Sequence, residues 1–273
     1  MIETIFWYNG NLIHDNFLEL AIDDPGLLYG ATVFTTLRTY HQSLHSQLTN
    51  WNRHCDRLLT SLQTFGWQQP DWERLQHGAE TLIAYYPVLR IAIFPDGREW
   101  IVGRFLPEDL TERQQYGIKA WVADKPEYRR SLPQQKTGNY LAAWLALREA
   151  QRCGAKEAIL VDASGNWLET STGNLWGWRD GQWWTPPVSA GILPGVARSQ
   201  LIDWLVSQNL FVGEVAWDAD WVGGLEAIAF TNSVVEVVPV HTVVDRHGTL
   251  TYDPFHSGLE QLRSLFRGQQ PLP

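Results

Sequence analysis

The sequence predicts an α+β protein built as two blocks, and three observations carry that prediction. Short β-prone runs alternate with tight turns along most of the chain, apolar residues switch to helical spacing in a few segments, and no internal repeat or low-complexity tract interrupts the pattern. The 273 residues are enough for two modest domains with their own cores. A joining stretch near residues 108–118 divides them, giving a smaller N-terminal block, 1–112, and a larger C-terminal block, 113–273.

In the first block, "IFWYNGNLIH" reads as a hairpin about Asn9-Gly10, because both turn residues tolerate positive φ. "DDPGLLYG" reads as a turn-rich loop, and "ATVFTTLRTY" as a strand of β-branched and aromatic residues. Leu48, Trp51, Cys55, Leu58, Leu59, Leu62 and Phe65 fall at helical spacing and stop at Gly66. A second helix is expected over Trp72–Ala84, followed by a hairpin of "LRIAIF" and "EWIVGRF" about Pro95-Asp96-Gly97-Arg98.

The second block opens with the strand "GIKAWVAD" and a loop leading to Lys136. Leu141, Trp144, Leu145 and Arg148 then define an apolar helical stripe ending at Cys153-Gly154. The strands "EAILVD", "WLETS", "NLWGW" and "WWTPP" follow, then a helix over Leu201–Val206 entered through "LPGVARSQ". "EAIAFTN" and "VEVVPVHTVVD" are strands, and "FHSGLEQLRSLFRG" is a terminal helix. Each block is expected to pair antiparallel sheet with a few helices.

Composition narrows the function. A net charge of −9 argues against a general nucleic-acid binder, although a local basic pocket could hold one phosphate. Cys55 and Cys153 match no metal or redox spacing and read as reduced thiols. The N-terminus lacks a basic run followed by an apolar one, and no stretch has the length of a membrane span, so a soluble cytoplasmic chain is expected. No phosphate-loop, dinucleotide, zinc-protease or serine-hydrolase motif occurs, and no metal site is expected.

Lysine is scarce. The four are Lys119, Lys125, Lys136 and Lys156, and Lys136 stands where a loop becomes an apolar helix. Glu169 closes a strand, Arg57 lies on the first long helix, Gly195 opens a helix with backbone N–H groups suited to phosphate, and Asn232 and Ser233 end a strand. An amine, a carboxylate, a guanidinium and a helix N-terminus are what pyridoxal phosphate needs. Taken singly, each has an ordinary reading: Lys136 as a surface amine, Glu169 as an exposed strand-end carboxylate, Arg57 as a helix-face residue beside Asp56 or Glu73, Gly195 as a turn glycine. The fifteen tryptophans raise a rival of another class, a carbohydrate-binding protein using indole faces, although core tryptophan is the commoner outcome.

Five ordered segments break this tie: "DDPGLLYGATVFTTLR", "NRHCDRLLTSL", "KTGNYLAAWLALREAQRCGAKEAILVDASGNWLETSTGNLW", "TPP" with "GILPGVAR", and "AFTNSVVEVVPV". They resemble the class IV, or fold type IV, pyridoxal-phosphate enzymes over nearly the full length. The resemblance implies a smaller N-terminal α/β sandwich and a larger C-terminal domain with a pseudo-barrel sheet. It implies Lys136 as the Schiff-base lysine, Glu169 as partner of the pyridine nitrogen, and Arg57 on the phosphate with the backbone of Val196 and Ala197 and the Asn232–Ser233 turn. It also implies a homodimer acting on a small-molecule substrate.

Within that family, three details resemble the 4-amino-4-deoxychorismate lyases, which make 4-aminobenzoate and pyruvate for folate. Phe34-Thr35-Thr36 has threonine where the aminotransferases commonly have glutamate, two residues separate Lys136 from Asn139, and "TNSVVE" is lyase-like. Ala197 departs from the family, standing where a hydroxyl residue is often found. The resemblance then implies Lys136, its pKa lowered by the pocket, as the base and Thr36 as an aid to substrate placement. Arg90 and Arg38 are the candidates for the substrate carboxylates. The alternative is a class IV aminotransferase for D-amino or branched-chain amino acids.

Overall fold

The computed structural model describes residues 4–246 and 248–267. They form two compact units, one of residues 4–107 with 135–140 and one of 108–134 with 141–246 and 248–267.

In the first unit, β1 (Ile5–Tyr8) and β2 (Asn11–His14) turn through Asn9 and Gly10 at φ 45° and 85°, the positive values that the sequence pair allows. The segment read as a loop contains a short helix, α1 (Pro25–Tyr29): Asp24 caps it by accepting from the Gly26 N–H, Pro25 opens it, and Gly30 stops it at φ 63°. β3 (Val33–Arg38) follows. Helix α2 (Trp51–Phe65) begins three residues later than the periodicity suggests, because Asn50 is left-handed, at φ 54°. Helix α3 (Trp72–Leu82) is capped by Asp71, and β4 (Val88–Ile93) and β5 (Glu99–Arg104) form the second hairpin.

The sheet order is β2-β1-β5-β4-β3, all antiparallel. Leu37, Leu58, Leu62, Leu75 and Leu89 are fully or almost fully buried in the core of this unit. Each contributes roughly 1.5–3 kcal/mol by leaving water. In the sheet order, β3 is an edge strand, and residues 136–138 are laid along it. The Phe34 N–H donates to the Lys136 carbonyl at 2.8 Å, the Gly138 N–H donates to the Thr32 carbonyl at 2.7 Å, and Val33 bridges Thr137. Lys136, expected in the block 113–273, therefore belongs with the first unit.

In the second unit, α4 (Leu110–Tyr116) occupies what the sequence suggested was a joining stretch. Its Gln114 side chain donates to the Val235 carbonyl at 2.9 Å, and Arg263 donates to the Gln114 carbonyl at 2.8 Å, which ties the helix to this unit. In chain order there follow β6 (Ile118–Ala123), α5 (Leu141–Arg152), β7 (Glu157–Val161), β8 (Trp167–Thr170), β9 (Asn174–Arg179) and β10 (Gln182–Thr185). Then come α6 (Val196–Ser207), β11 (Val212–Glu214), α7 (Ala219–Gly223), β12 (Ala227–Asn232), β13 (Glu236–Val244), β14 (Thr249–Thr251) and α8 (Leu259–Arg267).

β9, β12, β13, β6, β7 and β8 pair in that order, and β8 pairs with β9 to close a six-stranded barrel. The sheet is mixed rather than purely antiparallel: β6 runs parallel to both β7 and β13. The α5 crossover makes the β6–β7 pairing possible, since parallel neighbours cannot be joined by a tight turn.

Helix α5 also corrects the expected apolar stripe. Its buried face is Ala143, Ala146 and Ala150, while Leu141, Trp144 and Leu145 are exposed. Small side chains let the helix lie close to the strands. Elsewhere Trp7, Trp51, Trp167, Trp176, Trp183 and Trp217 are buried, which withdraws those indole faces from any ligand-stacking role.

Candidate active site

Each unit carries a cluster of the expected residues, and strand alternation explains the first. Along β3 the side chains of Phe34, Thr36 and Arg38 share one face, while Val33, Thr35 and Leu37 share the other. Thr36 stands directly across from Arg90 on β4. The Arg90 guanidinium carbon lies 3.6 Å from the Phe34 ring centroid, and Lys136 Nζ lies 4.7 Å from the same centroid and 5.5 Å from that of Tyr140. Three expected residues, Lys136, Arg90 and Thr36, thus gather around Phe34. Burial lowers the Arg90 pKa to about 10, with nearby Arg104 adding to the effect, so the group still carries its charge at neutral pH. The Arg38 guanidinium lies over the Tyr40 ring, 4.9 Å from its centroid.

Arg57 reaches the opposite face of the same strand. Its Nη2 donates to Thr35 Oγ1 at 2.7 Å, and Thr35 Oγ1 is 2.6 Å from His54 Nδ1. His54, one turn before Arg57 on α2, is buried, and its pKa is held well below the usual range. Burial is the main cause, helped by the charges of Arg57 and Lys136. Its Nε2 has no hydrogen-bond partner among the described residues. In the sequence Thr35 is a lyase-like mark with no site role, and His54 is not singled out. The alternation of β3 and the three-residue step from His54 to Arg57 were the available signals.

In the second unit Glu169 ends β8, buried instead of exposed. It is ion-paired with Arg130, accepts the Leu193 N–H at 3.1 Å, and lies 3.4 Å from Asn174 Nδ2. Arg130, also missed in the sequence, stands in the "YRRS" run six residues before Lys136. A cavity of about 240 Å³ opens beside the pair, lined further by Arg129, Pro133, Leu160, Leu168 and Gly191. The turn after Glu169 is anchored by buried Glu157, which accepts from Ser171 and Thr172 hydroxyls at 2.6 Å each. Burial raises the Glu157 pKa, and these hydrogen bonds pull against that rise.

Asn174 links Glu169 to helix α6. Its Nδ2 donates to the Leu193 carbonyl at 2.9 Å, and its Oδ1 would stand 2.0 Å from a Cβ on Gly195, so only glycine fits there. Gly195 is the N-cap and brings no side-chain cap, and Val196 and Ala197 behind it are buried. Such an end favours an anion. Asn232 is otherwise engaged: its Oδ1 accepts the Val234 and Val235 N–H groups at 2.9 and 3.0 Å, closing the turn that contains Ser233. Among the described residues no group of three or more His, Cys, Asp or Glu could hold a metal, and no helix is long and apolar enough to cross a membrane.

The class IV amino-transferase family matches residues 32–243. The branched-chain-amino-acid aminotransferase of Escherichia coli K12 is 23% identical over 271 residues, covering 87% of this chain and 84% of that enzyme. A Mycobacterium tuberculosis protein described as a hypothetical aminotransferase, in its pyridoxal-phosphate-bound form, superposes with TM-score 0.81 at 19% identity, over 97% of this chain and 100% of that one. A solved structure provisionally assigned as a 4-amino-4-deoxychorismate lyase gives TM-score 0.74 at 25% identity, over 94% of this chain and 98% of that one.

Each unit by itself carries groups of the kind that the family's cofactor needs. The first unit supplies an amine and a guanidinium, and the second a buried carboxylate and an uncapped helix end that a phosphate suits. The chain belongs to the class IV aminotransferase family of pyridoxal-phosphate-dependent enzymes, with the two-domain architecture of fold type IV.

Proposed function

We propose that this enzyme is a 4-amino-4-deoxychorismate lyase, releasing 4-aminobenzoate and pyruvate. The observation that carries the reading is Thr36: a hydroxyl, directly across from Arg90 on the face where Lys136 meets Phe34. The likeness to the provisionally assigned lyase supports it. Lys136 would hold the cofactor through its amine, Arg57, the backbone of Val196 and Ala197 and the Asn232–Ser233 turn would take its phosphate, and Glu169 would keep its ring nitrogen protonated. Bound pyridoxal phosphate supplies an electron sink for the charge left when a proton departs.

With the substrate bound, the Lys136 amine would take the proton from ring carbon C4. Arg90 and Arg38 pair with the two substrate carboxylates, and Thr36 positions the ring. Loss of enolpyruvate from the adjacent carbon makes the product aromatic, so this step runs downhill. A cytoplasmic homodimer belongs to the same reading.

The relatives named as branched-chain aminotransferases favour a second reading, amino transfer from branched-chain amino acids, with D-amino acids as a further substrate class of the same alternative. Assays with aminodeoxychorismate, and separately with D- and L-amino acids plus 2-oxoglutarate, tell them apart. The lyase reading expects amino acids to react about 100-fold more slowly, a difference of about 3 kcal/mol in transition-state binding. Rapid amino transfer without aminobenzoate overturns it.

A further inference from the structure

We propose that Thr35 and His54 are positioning residues that aim Arg57 at the cofactor phosphate through a directed hydrogen-bond relay, Arg57 to Thr35 to His54. The inference rests on the phosphate role given to Arg57 above and adds two residues to it. Arg57 Nη2 can only donate, so Thr35 Oγ1 accepts from it at 2.7 Å. The Thr35 hydroxyl proton then has His54 Nδ1 at 2.6 Å as its acceptor. The reverse arrangement, with His54 donating, makes Thr35 Oγ1 accept twice and leaves its own proton to be placed. Head-to-tail chains polarise each bond in the same sense, and this favours the forward direction.

The forward direction fixes the His54 tautomer. Nδ1 carries no hydrogen and Nε2 carries one, at the buried atom that has no partner among the described residues. Burial and the neighbouring cations keep the ring neutral, so the relay holds its shape without adding charge. The strand position also matters. A carboxylate at 35 would place a negative charge against Arg57, whereas Thr35 anchors the guanidinium through a neutral oxygen. The threonine therefore orients Arg57 without opposing an incoming anion.

The test compares Thr35→Val, which keeps the shape and removes the hydroxyl, with Thr35→Ser, which restores it. Binding of pyridoxal phosphate and of pyridoxal is measured by absorbance titration of the purified apoprotein, and the His54 tautomer by ¹⁵N NMR. Thr35→Val is expected to weaken pyridoxal phosphate binding about 10-fold, the scale of one hydrogen bond to a charged group, and to leave pyridoxal binding unchanged. Thr35→Ser should recover most of that loss, and the NMR signature of an Nε2–H ring should be present in the wild type and in Thr35→Ser.

Undiminished phosphate-ester binding by Thr35→Val overturns the proposal, as does an equal loss for both ligands or an Nδ1–H ring in the wild type. Arg57→Ala separates this failure from that of the underlying reading. If Arg57→Ala weakens pyridoxal phosphate binding and Thr35→Val does not, the relay alone is wrong. If Arg57→Ala leaves that binding unchanged, Arg57 does not hold the phosphate and both ideas fall.

Discussion

Gly30 and Gly138, more than a hundred residues apart in sequence, meet backbone to backbone. A Cβ on Gly138 would stand 2.6 Å from the Gly30 carbonyl oxygen and 2.4 Å from Thr32 Oγ1, so nothing larger than hydrogen fits there. This close approach lets residues 136–138 lie along β3, and it fixes the backbone from which the Lys136 side chain leaves.

Gly138→Ala should therefore displace the Lys136 loop. Overpacking of this kind costs about 1–3 kcal/mol, and the expected result is at least a tenfold loss of turnover with a folded protein by circular dichroism. Turnover equal to that of the wild type would show that the loop tolerates the shift.

Glu99 is the buried anchor of the first unit. It accepts from Trp7 Nε1 at 3.1 Å, the Gly10 N–H at 2.8 Å, and Arg74 Nε and Nη2 at 2.9 and 2.6 Å. Glu99→Ala strands two buried or half-buried donors and an arginine, and urea unfolding should register a loss of about 3 kcal/mol. A loss below about 1 kcal/mol would contradict this account of the hairpin.

His54 gives the fold a pH dependence whose sign is fixed. Its folded pKa is depressed, so below the unfolded value of about 6.5 the unfolded chain takes up a proton that buried His54 refuses. Its contribution is present above that pH and is lost as the pH falls. Between pH 6.5 and 5 the loss has a slope of up to about 1.4 kcal/mol per pH unit. His54→Asn, which keeps an acceptor near Nδ1, should flatten that slope in urea titrations, and an unchanged slope would acquit His54.

Lys136→Ala should keep the fold and abolish covalent trapping of pyridoxal phosphate by borohydride. Peptide mapping of the wild type should find the label on Lys136. A label on Lys119, Lys125 or Lys156 would refute the assignment.

Local signals made much of this molecule legible. Asn9-Gly10 forms the hairpin that its tolerance of positive φ allows, and Gly66 ends α2 where the apolar period stops. The face of β3 holding Thr36, across from Arg90, follows from alternation once β3 and β4 are paired. Long-range relations were not legible. Barrel closure through Glu169 and Asn174, the ion pair of Arg130 with Glu169, and the attachment of residues 136–138 to β3 depend on partners distant in sequence. Helix α5 misled for a different reason: its large residues suggested the core face, but closeness to the strands selected its alanines. The part Asn232 plays locally, its Oδ1 closing the turn that contains Ser233, likewise shows only in the fold.

The most direct test of the lyase reading is product stoichiometry from aminodeoxychorismate alone, with no amino acceptor added. The account predicts 4-aminobenzoate and pyruvate in equal amounts over many turnovers, because elimination regenerates the starting enzyme each time. Failure to form 4-aminobenzoate, with amino-acid substrates instead giving keto acids only when 2-oxoglutarate is supplied, would contradict it and leave the aminotransferase.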